Sequence, residues 1–256
     1  MISRRTLLGV GAMAAVGALC QGCASGTNIF AASKKRRVVV WSEGTAPKDV
    51  YPNDIKGAIA EGFKTSLPNW EVVTGTLTDP GQGVSDELLK QTDVLMWWGH
   101  KQHGDVKDEL VNKIDKRVRE EGMGFISLHS SHYAKPYKKL MGTPCSWSEY
   151  QADGTSVKVI VKAPDHPIAR GVKDFALPKI ERYGMPFKVP APEAVVFDGI
   201  YTKPNGQTAP GWMGLCWTIG KGRVFYFTPG HETYDDFFRP EVRLIMANAV
   251  KWAAGK

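Results

Sequence analysis

Phe125-Ile126-Ser127-Leu128-His129-Ser130-Ser131-His132-Tyr133 is the stretch whose reading decides the fold. A β-prone apolar run ends on a histidine, two small serines follow, and a helical pattern starts beyond them. This is a strand feeding a helix through a tight turn, the repeating unit of an open α/β sheet. Ligands in such sheets gather at the carboxyl ends of the strands, which puts His129 at the mouth of a site. Two more apolar runs end in the same way. Val94-Leu95-Met96-Trp97-Trp98 leads into Gly99-His100, and Val224-Phe225-Tyr226-Phe227 leads into Pro229-Gly230-His231-Glu232.

Upstream, Val38-Val39-Val40-Trp41 reads as a strand buried on both faces. Ile55, Ala58, Ile59, Gly62 and Phe63 fall at helical spacing, Pro68 ends that segment, and residues 70–74 form a second strand. Ser85 is placed to cap a short helix to Gln91. A longer helix follows His100, marked by Val106, Leu110, Ile114 and Val118, with Glu109–Lys113 and Asp115–Arg119 as i,i+4 pairs on its wet face. The alternation predicts a doubly wound, mostly parallel sheet with helices on both faces. The second half is less regular. Residues 137–141 suit a short helix and residues 155–161 a strand, while residues 212–218 and 223–227 flank Gly220-Lys221-Gly222 as an antiparallel hairpin. Pro240 opens a final helix whose Val242, Ile245, Met246, Ala249 and Val250 face inward. Residues 34–256 read as a single domain with no internal repeat.

The first 33 residues read differently. Arg4-Arg5, a short Gly- and Ala-rich apolar run and a small-residue end match an export signal, and the paired arginines resemble the twin-arginine (Tat) type. The run is too short to suit a membrane-spanning helix, so no integral span is expected in the mature chain. Export to the periplasm is the expectation. Cys23, with Cys20 before it, leaves lipoprotein anchoring open. The formal net charge of +7 is concentrated here, because residues 1–37 hold six bases and no acid. Beyond them, 27 basic residues face 26 acidic ones, so nucleic acid is not an expected partner. Cys145 and Cys216 are the only cysteines outside the leader, too few for a disulfide scaffold.

Five of the six histidines sit in the three strand-end turns. Imidazole suits zinc and related first-row divalent ions, and a catalytic site needs three protein ligands and an open position. His100, His129 and His231 are the candidate ligands, for zinc first and manganese second. His103 and His132, each three residues after a candidate ligand, and Glu232 are the candidate base, orienting partner or extra ligand. The alternative is that these histidines cap helices and bond backbone carbonyls. Trp98 is expected to line a sugar site.

The blocks Trp97-Trp98-Gly99-His100-Lys101-Gln102-His103, Leu128-His129-Ser130-Ser131-His132, Asp165-His166-Pro167-Ile168 and Phe227-Thr228-Pro229-Gly230-His231-Glu232-Thr233-Tyr234 resemble the trehalose-utilisation (ThuA-like) family. The resemblance implies a class I glutamine-amidotransferase-like (flavodoxin-like) fold. Amidotransferases carry a nucleophilic Cys at the strand-to-helix elbow, where this chain has His129, so glutamine hydrolysis through that nucleophile is not available. The resemblance also implies a role in disaccharide catabolism, beside dehydrogenases that make 3-keto-glycosides. A metal-dependent enolisation, isomerisation or elimination on such keto-sugars is the expected chemistry. Glu181 and Tyr183 match a family segment and are candidate substrate contacts. The alternative is a non-catalytic carbohydrate-binding or partner module. The oligomeric state is left open.

Overall fold

The computed structural model describes residues 35–151 and 154–255. The expected export signal over residues 1–33, with Cys20 and Cys23, lies outside the described residues.

The parallel half of the sheet is built from β1 (Arg36–Ser42), β2 (Trp70–Thr76), β3 (Val94–Trp98), β4 (Gly124–Leu128) and, much later in the chain, β11 (Gly222–Phe227). Their order is β2-β1-β3-β4-β11, with parallel pairing throughout. This is the flavodoxin-like order, which places the topological switch beside β1 and β3. Both β3 and β4 are buried along their whole length, as strands covered on two faces must be. Helices α1 (Asp54–Ser66) and α5 (Pro240–Ala253) pack on one face with Val38 and Val40. Helices α3 (Asp108–Glu121) and α4 (Lys135–Met141) cover Val39 and Trp41 on the other. The alternation along β1 therefore assigns its residues to two separate cores.

Local signals act as read from the sequence. The Ser85 hydroxyl caps α2 (Asp86–Lys90) by accepting from Leu88 N at 3.2 Å. Both expected surface pairs on α3 form, Glu109 with Lys113 at 2.7 Å and Asp115 with Arg119 at 2.8 Å. All five apolar positions expected on the inner face of α5 are buried.

The sheet runs on past β11. Strands β10 (Thr208–Ile219), β9 (Ala194–Thr202), β6 (Ser156–Val161) and β7 (Phe175–Leu177) continue it with antiparallel pairing to nine strands. The hairpin read from the sequence is the start of this wing. A separate antiparallel ribbon pairs β5 (Trp147–Gln151) with β8 (Arg182–Phe187). It matters because Glu181 immediately precedes β8 and Tyr150 sits on β5. Cys145 and Cys216 are free and buried in different cores.

Candidate metal centre

His129 ends β4 with φ of 53°, a left-handed conformation that non-glycine residues rarely adopt. The strain sits at the strand-to-helix elbow, where backbone cost is commonly held for function. It turns the His129 side chain into the site rather than along the sheet. His100 follows β3, and His231 with Glu232 follows β11, so three parallel strands deliver their carboxyl-end residues to one edge. Glu181 arrives from the ribbon. One ligand atom from each of His100, His129, Glu181 and His231 lies within 4.8 Å of the others.

The ring nitrogens are oriented from outside. His129 donates from Nδ1 to the Thr228 carbonyl at 3.0 Å, leaving Nε2 to face inward. The Ser130 hydroxyl gives its proton to the Gly99 carbonyl at 2.9 Å, so at 2.7 Å it accepts from His100 Nδ1. His231 Nδ1 accepts from the Thr233 backbone N–H at 3.2 Å, with the Thr233 hydroxyl 2.8 Å away, so the neutral ring carries its proton on Nε2. The outer partners of His129 and His100 leave Nε2 of each free to bind a metal.

Inside this ring two of the contacts lack a proton between their partners. His129 Nε2 stands 3.1 Å from Glu181 Oε2, and the nearby Tyr183 hydroxyl already donates to that oxygen at 3.0 Å. His100 Nε2 lies 3.3 Å from Glu232 Oε2, an oxygen buried without a hydrogen-bond partner among the described residues. Burial, outweighing the nearby Glu232 carboxylate, lowers the His100 pKa to about 4, so that ring is neutral near pH 7. Burial works to raise the Glu181 pKa, but the neighbouring His129 and His231 rings outweigh it and hold the carboxyl well below its usual range. Lone pairs and carboxylates that face each other in a buried space call for a cation. Three imidazoles and a carboxylate are a donor set that first-row divalent ions accept. The residues fit the group.

The remaining expected site residues are placed as follows. Glu232 flanks the cluster, with Oε2 3.4 Å from His231 Nε2 and Oε1 2.7 Å from Lys101 Nζ. Glu181, expected among the substrate contacts, is instead a member of the ligand cluster. Tyr183 is buried and reaches both Glu181 and, at 3.4 Å, His129 Nε2. Trp98, His132 and His103 stand outside the four-residue cluster. Trp98 is fully buried and donates from Nε1 to the Gly230 carbonyl at 2.9 Å, so it braces the His231 turn and cannot meet a sugar. His132 is also fully buried, boxed by Trp147, Tyr183, Phe187 and Tyr226, with Nδ1 donating to the His129 carbonyl at 3.1 Å. It supports the elbow from behind. His103 lies outside the cluster, 3.9 Å from Glu43.

Two residues escaped the sequence reading. Glu43, just past β1, is buried and accepts from the backbone N–H groups of Lys101 at 2.8 Å and Gln102 at 2.9 Å, which pins the turn after His100. It also sits at a strand's carboxyl end, and the rule that found the histidines applies to it. Tyr150 is 58% exposed, yet its hydroxyl donates to Glu181 Oε1 at 2.6 Å. Nothing in the periodicity around it marks a strand edge over the site. Gly230 supplies the last constraint: its φ is 118° and a Cβ there would lie 2.4 Å from the Phe237 ring.

With this geometry in place, the comparisons with known proteins can be read. The family model described as ThuA, trehalose utilisation, matches residues 37–253. The chain belongs to the ThuA family. At family level that membership is consistent with carbohydrate utilisation. No curated protein matches the chain. Among solved structures, a ThuA-like protein from Bacteroides uniformis is 18% identical, with a TM-score of 0.60 over 88% of this chain and 93% of that one. A glutamine amidotransferase from Thermotoga maritima is 11% identical, with a TM-score of 0.55 over 87% of this chain and 99% of that one. A β-galactosidase from Bacillus circulans matches 85% of this chain and 31% of its own length, at 12% identity and a TM-score of 0.50. These likenesses establish the amidotransferase-like fold of this ThuA chain. Among the described residues no helix is long and apolar enough to cross a membrane.

Proposed function

We propose that this ThuA protein is an exported, divalent-metal-dependent enzyme acting on keto-sugars or related disaccharide derivatives. The observation that carries the reading is the convergence of three inward Nε2 atoms and the Glu181 carboxylate within 4.8 Å, each held by outer partners. His100, His129, Glu181 and His231 would hold the ion, zinc or manganese by donor type. When bound, it supplies Lewis acidity toward a substrate carbonyl or hydroxyl oxygen.

The chain's own groups supply the rest. A carbonyl acidifies the hydrogen on the neighbouring carbon, and a carboxylate within reach can remove that proton. Glu232 Oε2 is the oxygen for this task, since it has no hydrogen-bond donor while Oε1 is held by Lys101. Returning the proton to the former carbonyl carbon, while the neighbouring hydroxyl's proton passes to the former carbonyl oxygen, completes an isomerisation; loss of the glycosidic oxygen from the far carbon, with the abstracted proton delivered to it, completes an elimination. Tyr150, exposed and bonded to Glu181, supports this reading as the group that would meet a substrate approaching the cluster. Export rests on the leader: the paired arginines and the short apolar run are the features that support a periplasmic destination.

The test is elemental analysis of purified protein, followed by turnover of 3-keto-glycosides by wild type and His129→Ala. The reading expects about one first-row ion per chain and loss of turnover in a variant that still folds. Turnover that persists in thoroughly chelated protein would reject the ion-based mechanism.

A further inference from the structure

The amino ends of the parallel strands form the edge opposite the histidine cluster, and α5 ends there. Between the last turn of α5 and residues 167–170 lies a hollow of about 260 Å3, lined by Pro167, Arg170, Arg223, Asn248, Lys251 and Trp252. Its walls hold three cations and no acid. Asn248 is buried and donates to the Ile168 carbonyl at 3.1 Å and the Arg170 carbonyl at 2.8 Å, which fixes the Arg170 turn against α5. The Arg223 guanidinium lies over the half-buried Trp252 ring, 5.6 Å from its centroid. Arg36, the first residue of β1, reaches the same helix end, with Nη1 3.4 Å from the Gly255 carbonyl.

The fold accounts for only part of this charge. The carboxyl end of a helix carries partial negative charge, which cations offset. Arg223 does so by donating to the Trp252 carbonyl at 2.9 Å, and Arg36 through Gly255. Arg170 and Lys251 are exposed, and their side chains form no hydrogen bond or ion pair among the described residues. Other cations at this edge are paired, Arg37 with Glu71 at 2.8 Å and Arg117 with Glu121 at 2.6 Å. Asp165 and Asp174, the acids nearest Arg170 in sequence, do not line the hollow, and Asp174 pairs with Lys158 at 3.6 Å. Beyond residue 37 the chain has 27 bases against 26 acids, so cations gathered here without acids are a local feature. The basic run Lys34-Lys35-Arg36-Arg37 leads into β1 at this same edge.

We propose that this edge is a docking surface for an anionic phospholipid bilayer, with one head-group phosphate seated between Arg170, Arg223 and Lys251. A bilayer suits it better than a free anion, because the cations continue from the hollow to Arg36 and Lys35. Trp252 adds the amphipathic ring that sits at head-group level. The inference stands apart from the enzymatic reading and holds whether or not an ion occupies the histidine cluster. Docked this way, the carboxyl edge with that cluster faces solvent.

Cosedimentation of the full chain with vesicles tests this, using phosphatidylcholine alone and an equimolar mixture of phosphatidylcholine with phosphatidylglycerol. Neutral vesicles register whatever the apolar leader contributes, so the readout is the gain on adding the anionic lipid. That gain is expected to fall about fivefold in Arg170→Gln and as much again when Lys251→Gln is added, the share of one cation near an anionic surface. It is also expected to fade as salt rises. Lys48→Gln and Lys179→Gln remove the same charge from exposed positions near the opposite edge and are expected to change the gain little. An undiminished gain in the Arg170→Gln/Lys251→Gln double variant, or equal losses from the opposite-edge pair, overturns the proposal. Inorganic phosphate that binds wild type in calorimetry, with no gain on anionic vesicles, also overturns the bilayer and leaves a site for a soluble anion.

Discussion

Ser130→Ala is the sharpest probe of how the candidate metal centre is held, because Ser130 is outside the four-residue cluster yet sets the His100 tautomer. Its hydroxyl gives a proton to the Gly99 carbonyl at 2.9 Å and accepts from His100 Nδ1 at 2.7 Å. Removing it leaves a largely buried ring N–H unpaired, and leaves Gly99 with only the longer 3.4 Å contact from the Ser131 hydroxyl. Two hydrogen bonds at ~1 kcal/mol each give a loss of about 2 kcal/mol in the metal-free protein. For a domain of this size that is roughly 4–8 °C in melting temperature. Outer-partner losses typically cost ~10–100-fold in metal affinity, or ~1.4–2.7 kcal/mol. Affinity is read by competition with a chromophoric chelator, and stability by calorimetry on chelated protein. Unchanged metal affinity in a variant that shows the stability loss would refute the argument that Nδ1 contacts prepare His100 as a ligand.

Glu43→Gln keeps one acceptor but sets an amide N–H against a backbone donor, so the turn after His100 loosens. Hydrogen exchange at the Lys101 and Gln102 amides is expected to accelerate and metal affinity to fall roughly tenfold; unchanged protection at both amides would count against the clamp. Burial raises the Asp236 pKa to about 7, so the folded chain holds a proton that the unfolded chain releases above its ordinary value of 3.8. The associated stability is complete below about pH 4 and is lost as pH rises to 7. In chelated protein Asp236→Asn, which keeps an acceptor for Gly230 N, is therefore expected to raise the melting temperature increasingly from pH 4 to 7 and level off above; a pH-independent difference would contradict this. Cys145 and Cys216 are buried and free, with burial raising the Cys145 pKa to about 11. Thiol reagents should label neither before unfolding, and reductant should leave the melting temperature unchanged.

The parallel half of the fold was legible because β1, β3, β4 and β11 carry short, largely apolar runs of the kind that double-sided burial demands, and β3 and β4 run straight into Gly99-His100 and His129. The helices were legible from the Ser85 cap, the surface pairs on α3 and the inward face of α5. The antiparallel wing was less so: β9 and β6 mix polar with apolar residues, and β7 is three residues long. Within the site, His100, His129 and His231 could be read because each ends an apolar strand. Glu181 could not be read as the fourth member of the candidate cluster, since it enters from the β5–β8 ribbon, a pairing between residues more than thirty positions apart. Trp98 was misassigned for a related reason. Its indole N–H finds a partner in the buried Gly230 carbonyl, a contact 132 positions away that no local pattern carries.

The measurement that bears most directly on the central claim is anomalous diffraction from crystals grown with zinc or manganese, collected at the absorption edge of the ion. The account predicts one strong peak per chain, bonded to Nε2 of His100, His129 and His231 and to the Glu181 carboxylate. A map with no peak among these four residues, in protein saturated with either ion, would contradict it.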